Sequence, residues 1–381
     1  MPQRSFCHPR LDNHQALFGN LYPLKSSEAF FLLDRSYDKE RGKKTRERKE
    51  RMAPEKPAHL EPSKLGTKEY WDALYSSEIA NHAHDPTDTG TAWFDDSDAT
   101  ERLVDFLEDA VEDGSLDCEE KKFVLDKNTT TFLDLGTGNG SLLFRLRDAG
   151  WEGGYMLGVD YSPLSVEFAR RIERGRRKTR EEEQEQDQDQ DQDQKEEGKE
   201  EEEEEDVEVH FAEHDILHTP ASALLDLASS YSSLSSSSSS SSINGTKEQF
   251  PGFDIVLDKG TFDAISLSDE TIPSSPSPSP TTSSESSSSG NRRRRIHETY
   301  ASRVLPLVRD DGGLFIVTSC NWTEAELRAW FEDESSTTSS YTFRVIGRVE
   351  YPSFSFGGVK GQTISTLCFR KVRKENPRVE I

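Results

Sequence analysis

The stretch FLDLGTGNGSLLFRLRDAG, residues 132–150, constrains this chain more than any other. An apolar run closes on Asp134 and Leu135, three glycines alternate at Gly136, Gly138 and Gly140, and a leucine-rich segment with helical spacing runs to a terminating Gly150. A strand that turns through glycines into a helix is the opening unit of a doubly wound sheet, where ligands sit beyond the carboxyl ends of the strands. The rest of the chain keeps that alternation. YMLGVD (155–160) predicts a second strand, and PLSVEFARRIERG a helix with Ser162 as N-cap and Pro163 in its first turn. VEVHFAEHDI (207–216), FDIVLDKG (253–260) and GGLFIVTS (312–319) predict strands three to five. TFRVIGRVEY (342–351) and QTISTLCFRKV (362–372) follow the helix TEAELRAWFED, with only the Gly-rich SFSFGGVKG between them, and predict a closing antiparallel pair. The expected fold is α/β: a Rossmann-like, doubly wound seven-stranded sheet, mostly parallel with an antiparallel C-terminal strand pair.

Three low-complexity segments interrupt this pattern, at about 179–206 (Glu/Asp/Gln), 229–249 (serine) and 268–291 (Ser/Pro/Thr). None can bury enough apolar surface to offset chain entropy, so each is expected to be disordered. Each falls between elements of one α/β pattern, which makes them loop expansions of a single domain spanning 60–373. Residues 1–59 read as a basic, disordered extension, within which Met52 looks like a natural start, and 374–381 as a tail. The run at 292–295, four arginines before IHETYASRVLPLV, reads as a solvated helix start.

Charge is unevenly spread. The formal net charge is −25, and residues 181–206 carry seventeen acids against two lysines, so the body remains acidic without that tract. This argues against direct nucleic-acid binding. Cys7, Cys118, Cys320 and Cys368 lie far apart without a C-x-x-C pair, which suggests neither a disulfide framework nor a zinc site. No 18-residue apolar run or signal-peptide core is present, and the expectation is a cytoplasmic protein with no membrane partner and no metal.

The glycine spacing bears on the ligand. A dinucleotide site spaces its glycines G-x-G-x-x-G so that the helix N-terminus receives a pyrophosphate. Here the spacing is G-x-G-x-G, with Asp134 at the strand end. A carboxylate there would repel a pyrophosphate and suits a ligand with an amino group and a sulfonium centre, such as S-adenosylmethionine. The glycines then serve close backbone approach. Asp160 ends strand two, where an acid can accept both ribose hydroxyls; alone it fits NAD equally well. Asp215, in AEHDI, is placed to accept from an adenine amino group beside the backbone of Ile216. Each acid by itself also reads as a helix cap or loop acid. In DIVLDKGTFDAI, Asp258 is the candidate substrate-side carboxylate, and Phe262 is either a channel wall or core packing. No N-P-P-[YF] follows, which counts against a base amine or glutamine amide as methyl acceptor.

With these residues in place, the chain resembles the class I S-adenosylmethionine-dependent methyltransferases, and within them the family that methylates a lysine of translation elongation factor 1-alpha. LDLGTGNG and GVDYS carry the superfamily likeness; DKGTFDAI, SKLGTKEYWDALYSSEI, DTGTAWF and YPSFSFGGVKGQTISTLCFRK carry the family likeness. The resemblance implies a monomeric protein-lysine N-methyltransferase acting by direct in-line transfer, with elongation factor 1-alpha as protein substrate. It implies cofactor contacts at Asp134, Gly136, Asp160, Asp215 and Ile216. It also places Trp71 and Trp93 where an N-terminal segment folds over the pocket, although either tryptophan reads equally as core. Two other functions remain open on the same scaffold: a small-molecule methyltransferase, and a catalytically silent cofactor-binding module.

Overall fold

A computed structural model describes residues 56–118, 123–152, 154–191, 208–235, 250–272, 294–333, 339–356 and 359–374. The readings of residues 1–55, Met52 included, lie outside the described residues. Two helices that the sequence reading did not anticipate precede the first strand. Helix α1 (Lys68–His84) buries Trp71, Tyr75 and Glu78, one stripe at helical spacing. Helix α2 (Ala99–Asp113) buries Ala99, Leu103, Val104, Leu107 and Ala110 and stops at Gly114, whose φ of 65° suits glycine.

The alternating unit then runs β1 (Phe132–Leu135), α3 (Ser141–Asp148), β2 (Met156–Asp160), α4 (Pro163–Asp191), β3 (Val209–Glu213), α5 (Ala221–Ser235), β4 (Ile255–Lys259), α6 (Thr261–Ser266), α7 (Tyr300–Val304), β5 (Leu314–Ser319), α8 (Glu324–Phe331) and β6 (Tyr341–Val349). A ribbon of β7 (Ser353–Phe356) and β8 (Val359–Gln362) leads to β9 (Ser365–Arg373). The seven-stranded sheet has the order β3-β2-β1-β4-β5-β9-β6. The pairs among β1 to β5 are parallel, and β9 runs antiparallel to both β5 and β6.

Both faces of the sheet are covered, which is why its inner strands read as continuous apolar runs. Phe132, Met156, Ile255 and Leu314 point into one core with Leu103, Leu143, Trp151 and Phe168. Their chain neighbours Leu133, Leu157, Val256 and Phe315 point into the other, with Phe262, Tyr300 and Trp330. The strand order reverses direction at β1 and β4, so the crevice opens above their carboxyl ends.

Several sequence expectations need correction. The acidic tract, read as disordered from about 179, is helical to Asp191: Glu and Gln are good helix formers, and Arg177–Glu181 and Lys178–Glu182 pair at i,i+4 (3.6 and 3.5 Å). The serine tract likewise begins inside α5, where Ser229 and Ser230 hydroxyls donate to carbonyls one turn back. At the start of the third segment, Thr271 bridges Arg295, and the Ile272 N–H donates to the Arg294 carbonyl at 2.9 Å. Arg295 is the N-cap of a 3-10 turn, Ile296–Thr299, that runs on into α7 and the turn Leu305–Leu307, so a helical segment follows the arginines as anticipated, with Arg292 and Arg293 outside the described residues. SFSFGGVKG, read as a connector, contributes the β7–β8 ribbon. The expected extension to residue 59 is already engaged at Lys56, which pairs with Asp333 at 3.1 Å. Ser162 caps α4 as anticipated, its hydroxyl accepting the Ser165 N–H at 3.4 Å.

Candidate active site

A cavity of about 330 Å³ lies over the carboxyl ends of β1, β2 and β4. Its floor is Leu135, Gly136, Thr137 and Gly138 after β1; Val159, Asp160 and Tyr161 after β2 form one flank, and the turn His214–His218 after β3 extends it. Lys259, Gly260 and Thr261 close the opposite end.

The roof is α1 with the 3-10 turn before it. Gly66 packs so closely on the end of α6 that a Cβ there would stand 2.3 Å from the Leu267 carbonyl carbon, and the Ser63 N–H donates to the Leu267 carbonyl at 3.0 Å. Only glycine permits that approach. Trp71 donates its indole N–H to the Leu65 carbonyl (2.8 Å) and leans on Trp93, ring centres 5.1 Å apart. Both indoles line the cavity. The roof is fastened to the floor elsewhere too: the Ser162 hydroxyl donates to Asp72 (2.6 Å), Asn139 donates to the Thr89 carbonyl (2.8 Å), and Lys259 donates to the Trp93 carbonyl (2.9 Å).

Of the residues expected to meet the cofactor, Trp71, Gly136, Gly138, Asp160, Asp215 and Ile216 line this cavity. Asp134 and Gly140 do not. Asp134 is only 3% exposed and sits beneath the floor, where burial raises its pKa to about 7 against the opposing pull of Thr137 and Lys259. Gly140 serves packing instead: a Cβ there would meet Phe211 at 2.7 Å and Phe144 at 2.9 Å.

Asp258 is corrected as well, and of the two readings of Phe262 the structure supports core packing over a channel wall. Asp258 is 1% exposed, and its carboxylate accepts the Thr261 N–H (2.8 Å), the Phe262 N–H (3.0 Å) and the Tyr300 hydroxyl (2.6 Å). It caps α6 and ties it to α7, and it does not line the cavity. Phe262 is core, stacked on Tyr300 with ring centres 5.4 Å apart. The rest of the motif acts alike: Thr261 donates to the Leu135 carbonyl at 2.6 Å, and Asp263 accepts the Cys320 N–H at 2.7 Å. DKGTFDAI is thus the joint that locks β1, β4 and β5 together below the cavity, while its Lys259, Gly260, Thr261, Ala264 and Ile265 line the ligand space.

The reading from sequence missed Lys68, Tyr75, Tyr161, His218, Lys259 and Glu270, all of which line the cavity. For Lys259 the signal was present, since it neighbours the acid that drew attention. Burial lowers its pKa, and Asp134 and Asp95 oppose that shift. Asp160 is pushed up to about 6 by burial, opposed by donors from Ser162, Ser165 and Gly138.

The residues fit S-adenosylmethionine. Gly136 and Gly138 line the floor at φ of 65° and 61°, and a Cβ on them would meet Thr261 Oγ1 at 2.1 Å and Tyr75 Oη at 3.1 Å. Asp160 provides acceptors for a diol, Ile216, Leu217 and Tyr161 provide flat apolar walls, and the volume suits a small molecule. Comparison with known proteins agrees. The family described as "Methyltransferase domain" matches residues 126–187. The protein-lysine N-methyltransferase EFM4 of Saccharomyces cerevisiae is 32% identical over 82% of this chain and 97% of its own length. Its counterpart in Schizosaccharomyces pombe is 30% identical over 82% of this chain and 95% of its own. Human EEF1A lysine methyltransferase 2 is 27% identical over 82% and 88%. With a methyltransferase fold, a pocket that suits S-adenosylmethionine and this likeness along nearly the full length of the yeast enzymes, the chain belongs to the EFM4 family of protein-lysine N-methyltransferases.

Proposed function

We propose that this protein transfers methyl groups from S-adenosylmethionine to the ε-amine of a lysine in translation elongation factor 1-alpha, in the cytoplasm and as a monomer. The observation that carries the reading is the roofed cavity with Asp160 and the His214–His218 turn at one end and Lys259, Gly260 and Trp93 at the other. The lysine assignment rests on the yeast relatives named as protein-lysine N-methyltransferases, and the choice of elongation factor 1-alpha on those named EEF1A lysine methyltransferase 2. No helix among the described residues is long and apolar enough to cross a membrane.

The bound cofactor supplies an electrophilic methyl group on sulfur. The chain's own residues do the rest. Asp160, Ile216 and the floor glycines hold the ligand, and the Lys259–Trp93 bond keeps the roof closed at the β4 end, where the acceptor amine enters. Lysine reacts only as the neutral amine, and a site walled by Trp71 and Trp93 favours that form by excluding water. Asp258 takes no proton in this scheme, because its oxygens are held by α6 and Tyr300.

The test is incubation of the purified protein with elongation factor 1-alpha and methyl-labelled cofactor, followed by peptide mass spectrometry. Label on one lysine of the factor is expected, reduced at least about tenfold in Asp160→Ala. Transfer to small metabolites alone, or none to the factor, would overturn the assignment.

A further inference from the structure

We infer that His218 is a positioning residue that clasps the rim of the cofactor cavity, joining the turn after β3 to the segment after α6 and so setting the affinity for the cofactor. Its imidazole stands between two carboxylates: Nδ1 is 2.8 Å from Asp215 Oδ2, and Nε2 is 2.8 Å from Glu270 Oε1. All three residues line the cavity. A neutral imidazole has one N–H and one lone pair, so one of these two contacts would set a lone pair against a carboxylate oxygen. Only the imidazolium donates to both.

Each end of the clasp is anchored. On the β3 side, Asp215 Oδ1 accepts the Leu217 N–H at 2.9 Å and the His218 N–H at 3.2 Å, and the Asp215 carbonyl accepts the Thr219 N–H at 2.8 Å. The turn that presents Ile216 to the cavity is therefore built around the same carboxylate that His218 holds. On the other side, the Glu270 carbonyl accepts the Ile296 N–H at 2.9 Å, next to the Thr271–Arg295 bridge. Glu270 thus hangs from a fixed point rather than from a free loop.

The clasp also changes the part expected of Asp215. Besides lining the cavity, its carboxylate shapes the wall that Ile216 and Leu217 present, with His218 holding that shape. The charged groups that act on the ring are Asp215 and Glu270, and both raise its pKa. A group raised in this way makes its contribution at low pH and loses it as pH rises through the folded value. The side chain is 53% exposed, so solvent moderates the effect.

The inference rests on the cavity being the cofactor pocket and is independent of the methyl acceptor. The test is calorimetric binding of S-adenosylhomocysteine by the full-length protein between pH 5.5 and 8.5. His218→Ala should weaken binding about fivefold at the acidic end and progressively less as pH rises, with Glu270→Gln weakening it in the same direction. In turnover, the change should fall on the cofactor KM more than on kcat. Asp134 and Asp160 titrate in the same range, with pKa values raised to about 7 and about 6, and are common to wild type and variants, so the wild-type-minus-variant difference isolates His218. If wild type and both variants bind alike across the range, the clasp is overturned while the cofactor reading stands. If wild type binds no S-adenosylhomocysteine, both fall together.

Discussion

At the residue scale, the acids at the strand ends divide into two kinds that a sequence cannot separate. Asp160 and Asp215 reach ligand space, whereas Asp134 and Asp258 lie under it. Asp134, Asp160 and Asp258 lie at or next to the ends of strands buried almost throughout on both faces, and such strands lack the alternation that would say which neighbour points up. Position along the chain therefore located the site, while burial decided the roles. This leads to a prediction for Asp258. Asp258→Ala leaves the Thr261 and Phe262 N–H groups and the Tyr300 hydroxyl without their acceptor in a buried place, a loss of about 2–4 kcal/mol of folding stability. Denaturant unfolding should show the loss, and the fraction that stays folded should still bind S-adenosylhomocysteine. Unchanged stability with activity abolished would return Asp258 to a role at the substrate. Phe262 teaches the same distinction, because an aromatic beside a strand end looks like a channel wall until its stacking on Tyr300 is seen.

At the element scale, the strand–loop–helix units were legible because strands and helices differ in hydrophobic period and each helix has its punctuation, such as Ser162 before α4 and Gly150 after α3. The roof was legible only as a motif. The stripe of Trp71, Tyr75 and Glu78 on α1 includes an acid, so its apolar face is thin, and what fixes it is contact with distant parts of the chain. Glu78 accepts the Thr91 hydroxyl at 3.0 Å, and Gly66 rests on Leu267. The second contact gives a prediction. A methyl group at Gly66 would collide with the backbone of Leu267 and Ser268 at 2.3–2.4 Å, which no rotamer relieves. Gly66→Ala should lift the roof and weaken S-adenosylhomocysteine binding by about tenfold or more, with tryptophan fluorescence reporting greater solvent contact at Trp71 and Trp93. Gly175→Ala, in α4 with nothing within 4 Å, is the matched control and should bind normally and be slightly more stable. Equal affinity in the two variants would mean that the roof does not govern the pocket.

At the scale of the whole molecule, topology determines where the described chain leaves for each low-complexity segment and where it returns. In a parallel α/β sheet the chain crosses from the carboxyl end of one strand to the amino end of the next. The acidic tract begins within α4 and the chain resumes at Glu208 before β3, and the serine tract begins within α5 and the chain resumes at Phe250 before β4, so both return to the described fold at the amino ends of strands. The third segment follows α6 and leaves from Ser268 and Glu270, which line the cavity. The sequence showed these segments as interruptions of one pattern, but the places where the chain leaves and returns followed only from the topology. The acidic tract offers the clearest test. Arg177 lies 3.9 Å from Glu208, so the chain before the tract already stands beside the chain after it. Replacing residues 181–206 with a short Gly/Ser linker would change the formal charge from −25 to about −10 without stretching the fold. S-adenosylhomocysteine affinity should stay at the wild-type value, and the unfolding midpoint should fall only slightly, through loss of the last turns of α4 with their Arg177–Glu181 and Lys178–Glu182 pairs. Long-range attraction to a basic partner weakens with salt, whereas a contact inside the pocket is screened little. The KM for elongation factor 1-alpha should therefore rise less steeply with ionic strength in the shortened protein, with kcat retained. Loss of cofactor binding on shortening would place the tract within the folded core, and an unchanged salt dependence would remove it from partner recognition.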